Sequence, residues 1–328
     1  MFYVISLVFT LAVVAITSLP DLEWSPVSDG TVTNPFSPDE MIERVDSPFN
    51  TTLAFVRWNA AHTERLPHIM KYEPFFHTMH ISMPNDSLDS PQDDFGLNHT
   101  SLTEDSTTLT FTIYRQVAHT MRVILETQPE ITGMFYYHFD AWIDPLAWTG
   151  MDLEKIHFPL MVDKTTGPLS ICMTNTTAYD WWGWSMEPHI KTMRAEVAAK
   201  GNTTAYNIND QEWCVGWSDI YYIPRKYFLD YIYFFDLFGE PEYDVFHEVA
   251  IPTITHIIGN SLRENPYIPI VEPISDCWGD CCSSNPTVKD VLKFRCGHRL
   301  DFRDEAVTEA FFTKLEGQTA LLKKHKEP

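Results

Sequence analysis

The stretch Ile131 to Leu146, ITGMFYYHFDAWIDPL, constrains the fold of this chain more than any other, because it runs from an apolar, aromatic strand straight into acidic residues. Ile131, Met134, Phe135, Tyr136 and Tyr137 are β-branched, aromatic or large apolar residues in a short run. That composition belongs to a strand buried on both faces of a parallel or mixed sheet. Pro145 stops it. Between the two stand His138, Asp140 and Asp144, oxygen and nitrogen donors placed where an open α/β sheet keeps its ligand crevice, at the carboxyl ends of its strands. Carboxylates suit Mg²⁺ or Mn²⁺, and imidazole tolerates Mn²⁺ better than Mg²⁺. The same aspartates also suit an Asx-turn and a cap that close an ordinary strand.

The segments before this stretch set its context. Thr52 to Trp58 reads as a first strand and Phe76 to Met83 as a second, joined by a broken helical or loop segment, and the polar residues 84 to 108 read as a surface loop. Thr110 to Thr127 carries Phe111, Ile113, Val117, Met121, Val123, Ile124 and Leu125 at helical spacing. Strand, connection, strand, helix, strand is an α/β order. Arg57 and His62 fall just past the first strand, where a nucleotide base or diphosphate would lie in a doubly wound sheet. With 13 Gly and no Gly-rich phosphate loop, the chain has neither a P-loop nor a Rossmann fingerprint, which excludes the commonest kinase and dehydrogenase classes.

The second half adds further polar groups. Tyr179 to Trp184, YDWWGW, is an aromatic cluster suited either to core packing or to stacking on sugar rings, and Pro188 to Lys200 reads as a helix. Trp213 to Tyr222 reads as a strand carrying Ser218 and Asp219, followed by a helix over Arg225 to Phe238 that Gly239 stops. Asp244 is placed to cap the next helix, whose first turns hold His247 and Glu248. A carboxylate there is either a general base or a capping residue. His256 follows His247 by nine residues instead of four, so the zinc-protease motif is absent. CGHRLDF, Cys296 to Phe302, offers His298 and Arg299 to close a site over a metal and a diphosphate, and Asp304 to Leu322 reads as the last helix.

Charge and processing signals narrow the setting. A net charge of -22 disfavours nucleic acid and anionic lipid as partners, since both need a basic face. Residues Phe2 to Leu19 carry no charge and read as a cleaved signal peptide, a single-pass signal anchor or a buried core helix. Pro-rich residues 20 to 50 read as a stem with at most one short helix near Asp39 to Val45. Sequons at Asn50, Asn85, Asn98, Asn175 and Asn202 support entry to the secretory pathway. Cys172, Cys214, Cys277, Cys281, Cys282 and Cys296 are even in number and suit disulfides in an oxidising lumen, with a zinc site of Cys277, Cys281, Cys296 and His298 as the rival.

Taken together, FVRW, HISM, FYYHFDAWIDP, GWSDIYYIPRKYF, FHEVAIPTI and CGHRLDF resemble the layout of a GT-A-fold glycosyltransferase of the secretory pathway, and are similar to fungal glycosyltransferase-like proteins. The resemblance implies one GT-A-like (Rossmann-like) α/β domain over residues 51 to 303, with a mixed, mostly parallel central sheet flanked by helices. The cysteine-rich segment 277 to 296 falls inside it, and residues 304 to 328 form a C-terminal helix and charged tail. It also implies transfer of a sugar from a nucleotide-sugar donor to a glycan or glycoprotein acceptor, in the Golgi as a type II membrane protein or after secretion. The family's Asp-x-Asp metal motif is replaced by His138-Phe139-Asp140 or by Asp140 through Asp144. By resemblance, Asp140, His138 and His298 hold Mn²⁺ or Mg²⁺, and Arg57, His138, Asp140, Asp144 and Arg299 bind the donor. Glu248 then acts as base and Asp219 lines a sugar. The residues leave two other classes open, a metal-dependent glycan hydrolase or deacetylase around His138, Asp140 and His298, and a non-catalytic luminal glycan-binding protein.

Overall fold

Strand β1, Thr52–Arg57, is buried along its whole length, and its alternate residues supply two different cores. Leu53 and Phe55 point to one face of the sheet, Ala54 and Val56 to the other. This places β1 in the interior of a layered α/β body, as its unbroken apolar run requires. The computed structural model describes residues 44–57, 63–84, 101–105, 110–159, 162–163, 167–168, 172–173, 197–201, 204–208, 213–214, 216–240, 245–262, 265, 267–279 and 285–323. The N-terminal segment 2–19, most of the stem, His62, the aromatic cluster 179–184, most of the Pro188 to Lys200 helix, Asp244, Cys281, Cys282, residues 324–328 and the sequons other than Asn50 lie outside them. Asn50 is exposed.

The central sheet adds β2 (Thr78–Pro84), β3 (Ser101–Asp105), β4 (Gly133–His138), β6 (Ile156–Pro159), β7 (Ile220–Pro224) and β8 (Val271–Ile274) in the order β8-β6-β7-β4-β1-β2-β3; β5 (Ala141–Ile143) lies outside it. Helices α1 (Thr110–Thr127), α2 (Phe228–Phe238) and α3 (His247–Ser261) cover the face that carries Leu53 and Phe55. The other face packs on α5 (Glu305–Leu321) and the helical turns between Thr63 and Phe75, with the short α4 (Val288–Lys293) beside them. Arg225 donates to the carbonyls of Leu125, Gln128 and Ile131, closing the C-terminal end of α1 against the start of β4.

Three expectations change. The sheet is mixed, as expected, but not mostly parallel, because β7 runs antiparallel to both of its neighbours, β4 and β6. Ile220, Tyr221, Tyr222 and Ile223 are all buried, so the strand has the same continuous apolar run as a parallel one and its composition does not encode direction. Within the polar segment 84 to 108, Ser101–Asp105 pairs in parallel with β2 and, among the described residues, is the edge strand of the sheet. Residues at the end of the expected stem belong to the body: Phe49 is buried among Phe76, Phe135 and Trp148, and Val45 bridges to Leu322 beyond α5.

A small sheet, β9 (Cys277–Trp278), β10 (Cys296–His298) and β5 in the order β9-β10-β5, stands at the carboxyl end of β4. The disulfide Cys277–Cys296 ties β9 to β10, and Cys172–Cys214 joins two two-residue strands. These bonds remove the rival zinc set and fit an extracellular or luminal location. Among the described residues no helix is long and apolar enough to cross a membrane.

Gly297 lies opposite Trp142 in this small sheet, and a Cβ there would come within 2.2 Å of the indole. Gly297→Ala is therefore expected to destabilise the protein by about 1–3 kcal/mol in denaturant unfolding. Gly317→Ala, inside α5 with nothing within 4 Å, should instead stabilise it by about 0.5–1 kcal/mol. Equal effects at the two positions would contradict the packing described.

Candidate metal centre

The polar groups at the carboxyl ends of β1 and β4 are set out by strand register. Ser82, Arg57 and His138 are consecutive partners across β2, β1 and β4. The backbone N–H of His138 donates to the Asp219 carbonyl at 2.9 Å, which brings Asp219, just before β7, to the same level. Because β7 is antiparallel, its beginning and not its end lies beside the end of β4. Two residues deeper, His80, Phe55, Tyr136 and Tyr221 form an aromatic row, with Phe55 stacked on Tyr136 at 5.7 Å and Tyr136 on Tyr221 at 4.4 Å. The site thus rests on a dry aromatic floor.

Two further elements close over it. The first turn of α3 carries His247 and Glu248, where the helix dipole favours a carboxylate. Pairing of β10 with β5 sets His298 opposite Ala141, next to Asp140. Asp219 is 2% exposed and stands at the centre of the group. Its Oδ1 lies 2.8 Å from His138 Nδ1 and 3.6 Å from His247 Nε2, and its Oδ2 lies 3.3 Å from His298 Nδ1. His298 Nε2 is 3.4 Å from Asp140 Oδ1, and His247 Nδ1 is 3.0 Å from Glu248 Oε2.

His138 Nδ1 and Asp219 Oδ1 are hydrogen-bonded, and the other approaches are close but poorly aligned. Among the described residues, Asp140 Oδ1, Asp219 Oδ2, both nitrogens of His247, Glu248 Oε2 and His298 Nδ1 are buried without a properly directed hydrogen bond. Converging donors of which most do not bond one another fit a cation. Two sets have their donor atoms within reach of a single ion, His138 with Asp219 and His247, and His138 with Asp140 and His298. Cys172, Cys214 and His256 also lie close together, but the two cysteines are consumed by their disulfide.

The cluster's electrostatics follow from burial and mutual charge. Burial keeps the His138 imidazole below its usual range despite Asp219. For His298 burial works in the same direction, but Asp219 and Asp140 prevail and push it up to about 9. Burial also disfavours the charged form of His247, and Glu248 and Asp219 overcome it. Asp219 is buried yet held well below the usual carboxylate range by His298 and His138, whereas burial pushes Glu248 up to about 7. Burial opposes ionisation of Asp140 as well, but His298 and His138 hold it low.

The expected site residues divide accordingly. His138, Asp140, Asp219, Glu248 and His298 are brought together, and Arg57 stands in the same row with its guanidinium 3.0 Å from the Ser82 hydroxyl. Asp219 faces three imidazoles. Asp144 does not join them: it caps the helical turn Pro145–Trp148, accepts from Gln318 and pairs with Lys314 at 2.6 Å. Arg299 is exposed, and its charge acts on Asp301. His247 is the member that motif spacing misses: the sequence puts it with Glu248 in the first turns of this helix, but marks only Glu248 for a role. The apolar cavity of about 200 Å³ bounded by Phe158, Pro252 and Val271 lies elsewhere. No protein-family model matches the chain, and no curated protein matches it. The functional reading therefore rests on the site.

Burial holds His80, in the aromatic row, down at about 3, far below the usual imidazole value. A group with a lowered folded-state pKa contributes stability that is present above its unfolded value and lost as pH falls toward the folded one. His80→Phe should therefore gain on the parent by up to about 1.4 kcal/mol per pH unit between roughly pH 6 and 3. A pH-independent difference in unfolding free energy would show that His80 is not buried neutral.

Proposed function

We propose that this protein is a GT-A-like glycosyltransferase that moves a sugar from a nucleotide-sugar donor to a glycan or glycoprotein acceptor, assisted by Mn²⁺ or a similar cation. The observation that carries the reading is the placement of a buried His/carboxylate cluster and Arg57 in one row at the switch point of the sheet. The chain builds β1, β2 and β3 in one direction and then returns to lay β4 on the other side of β1. In doubly wound sheets the nucleotide crevice opens at that reversal. Two disulfides support a luminal setting, with residues 2–19 as a Golgi type II anchor or a cleaved signal.

The chemistry asks for three things. A leaving nucleoside diphosphate gains negative charge, which a bound cation would neutralise when present. Arg57 adds a permanent positive charge beside His138. An acceptor hydroxyl must lose a proton, and Glu248 is the carboxylate positioned for it at the start of α3. The dry floor beneath excludes water from the donor and strengthens each of these interactions.

A metal-dependent glycan hydrolase is the second reading, favoured by the presence of two histidines and one carboxylate, the kind of ligand set that holds a catalytic zinc with a position left open. Nucleotide binding separates the two. Calorimetry of UDP and GDP with the full-length chain should show Mn²⁺-dependent binding of one of them. Arg57→Gln should weaken that binding roughly tenfold or more without loss of near-UV circular dichroism. A folded, Mn²⁺-loaded protein that binds neither nucleotide would favour the hydrolase.

A further inference from the structure

We infer that the cation position is the set His138 Nδ1, Asp219 Oδ1 and His247 Nε2, not the His138, Asp140 and His298 set, and that it takes a transition-metal dication such as Co²⁺, Zn²⁺ or Mn²⁺ in preference to Mg²⁺. This rests on the reading of the cluster as a metal centre and is independent of whether the substrate is a nucleotide sugar.

His138 is common to both sets, so only one of them can be complete at a time. Its Nε2 is engaged with the Tyr136 hydroxyl at 2.9 Å, which leaves Nδ1 as its one donor, and Nδ1 is already 2.8 Å from Asp219 Oδ1. One ion at most receives it. If that ion sits with Asp219 and His247, three ligands are complete; the other set is then reduced to Asp140 and His298.

The outer contacts favour the set with Asp219 and His247. A metal-bound imidazole holds its second nitrogen on a carboxylate or another polar group, which fixes ring and tautomer. His138 meets this through the Tyr136 hydroxyl, and His247 has Glu248 Oε2 3.0 Å from its Nδ1, close enough to take that role once the ring is turned into line by an ion on Nε2. His298 differs, because its two nitrogens lie between two carboxylates, Nε2 toward Asp140 at 3.4 Å and Nδ1 toward Asp219 Oδ2 at 3.3 Å. It is placed to steady the second oxygen of Asp219 while the first faces the ion.

Spacing and rigidity agree. Ligands about 2.1 Å from one ion stand roughly 3.0–3.4 Å apart in octahedral or tetrahedral geometry. The separations of 2.8 and 3.6 Å about Asp219 Oδ1 bracket that range. The three residues sit at the end of β4, the start of β7 and the first turn of α3, and all are buried, whereas His298 is only partly so. Two nitrogens and one oxygen make a donor set that Mg²⁺, which favours oxygen and retains its water, fills poorly.

The test uses the full-length chain stripped with a chelator and titrated with Co²⁺ and Mg²⁺, read by the visible absorption of bound Co²⁺ and by calorimetry. A single Co²⁺ should bind at least about 100-fold more tightly than Mg²⁺. His247→Gln and Asp219→Asn should each weaken Co²⁺ by about 100-fold or more, and Asp140→Asn by no more than roughly threefold. Near-UV circular dichroism checks the fold of each variant, and His247→Gln carries the test if Asp219→Asn does not fold. The inference is overturned if Co²⁺ does not bind, if Mg²⁺ binds as well as Co²⁺, or if Asp140→Asn loses Co²⁺ while His247→Gln retains it. Co²⁺ binding with this variant pattern but no nucleotide binding would remove the transferase reading and leave the metal assignment standing. Nucleotide binding with the opposite variant pattern would do the reverse.

Discussion

A carboxylate buried among three imidazoles is the interaction on which the layered body converges. Taking a carboxylate out of water costs several kcal/mol unless opposite charge and hydrogen bonds offset it. Asp219 has His138, His247 and His298 around it, and each arrives on a different element: the end of β4, the start of α3 and the small sheet built on β5. Displacing any one of these elements would leave part of the charge uncompensated. The cluster and the packing of α3 and β10 over the strand ends are therefore mutually dependent. The reversal of β7 belongs to the same constraint, because a parallel strand at that position would present its far end to the site and carry Asp219 away from His138.

The aromatic row under the polar one explains why the cluster holds its charge pattern. Phe55, Tyr136 and Tyr221 stack across three strands immediately beneath Arg57, His138 and Asp219, and none of these side chains is more than slightly exposed. Water is excluded from below, so interactions between neighbouring charges are little screened. Burial alone would neutralise His298 and Asp140; held together they keep each other ionised. Glu248 lies at the margin of that balance, where burial outweighs its neighbours.

Much of this was legible in the sequence where the signal was local. The run from Met134 to Tyr137 followed by His138 and Asp140 gave a strand and the polar end of a crevice, and the spacing of apolar residues gave α1 at its observed limits, Thr110–Thr127. What depended on partners was not legible. Nothing in Ile220 to Ile223 distinguishes an antiparallel strand from a parallel one when both faces are covered. Ser101–Asp105 is polar, so it read as loop, although it pairs with β2. Asp144 looks like a ligand in sequence, but Lys314 and Gln318, 170 and 174 residues further on, bind it in the fold. Arg299 follows a site histidine yet is turned to solvent. His247 failed a motif test built on one helix, whereas its co-ligands come from strands.

The proposed choice of transferase over hydrolase leans on Arg57 more than on the metal ligands. A nitrogen-rich set at a strand end serves both chemistries, since either needs a Lewis acid and an open position. A cation in the same row as that set, at the switch point of the sheet, suits a substrate that brings lasting negative charge near the ion. A neutral glycan amide or ester brings none, while a diphosphate brings charge on both sides of the bond that breaks. The net charge of -22 over the chain sharpens the point: such an anion gains nothing from the molecule's overall field and would have to be held by local positive charge, here Arg57 and a bound cation.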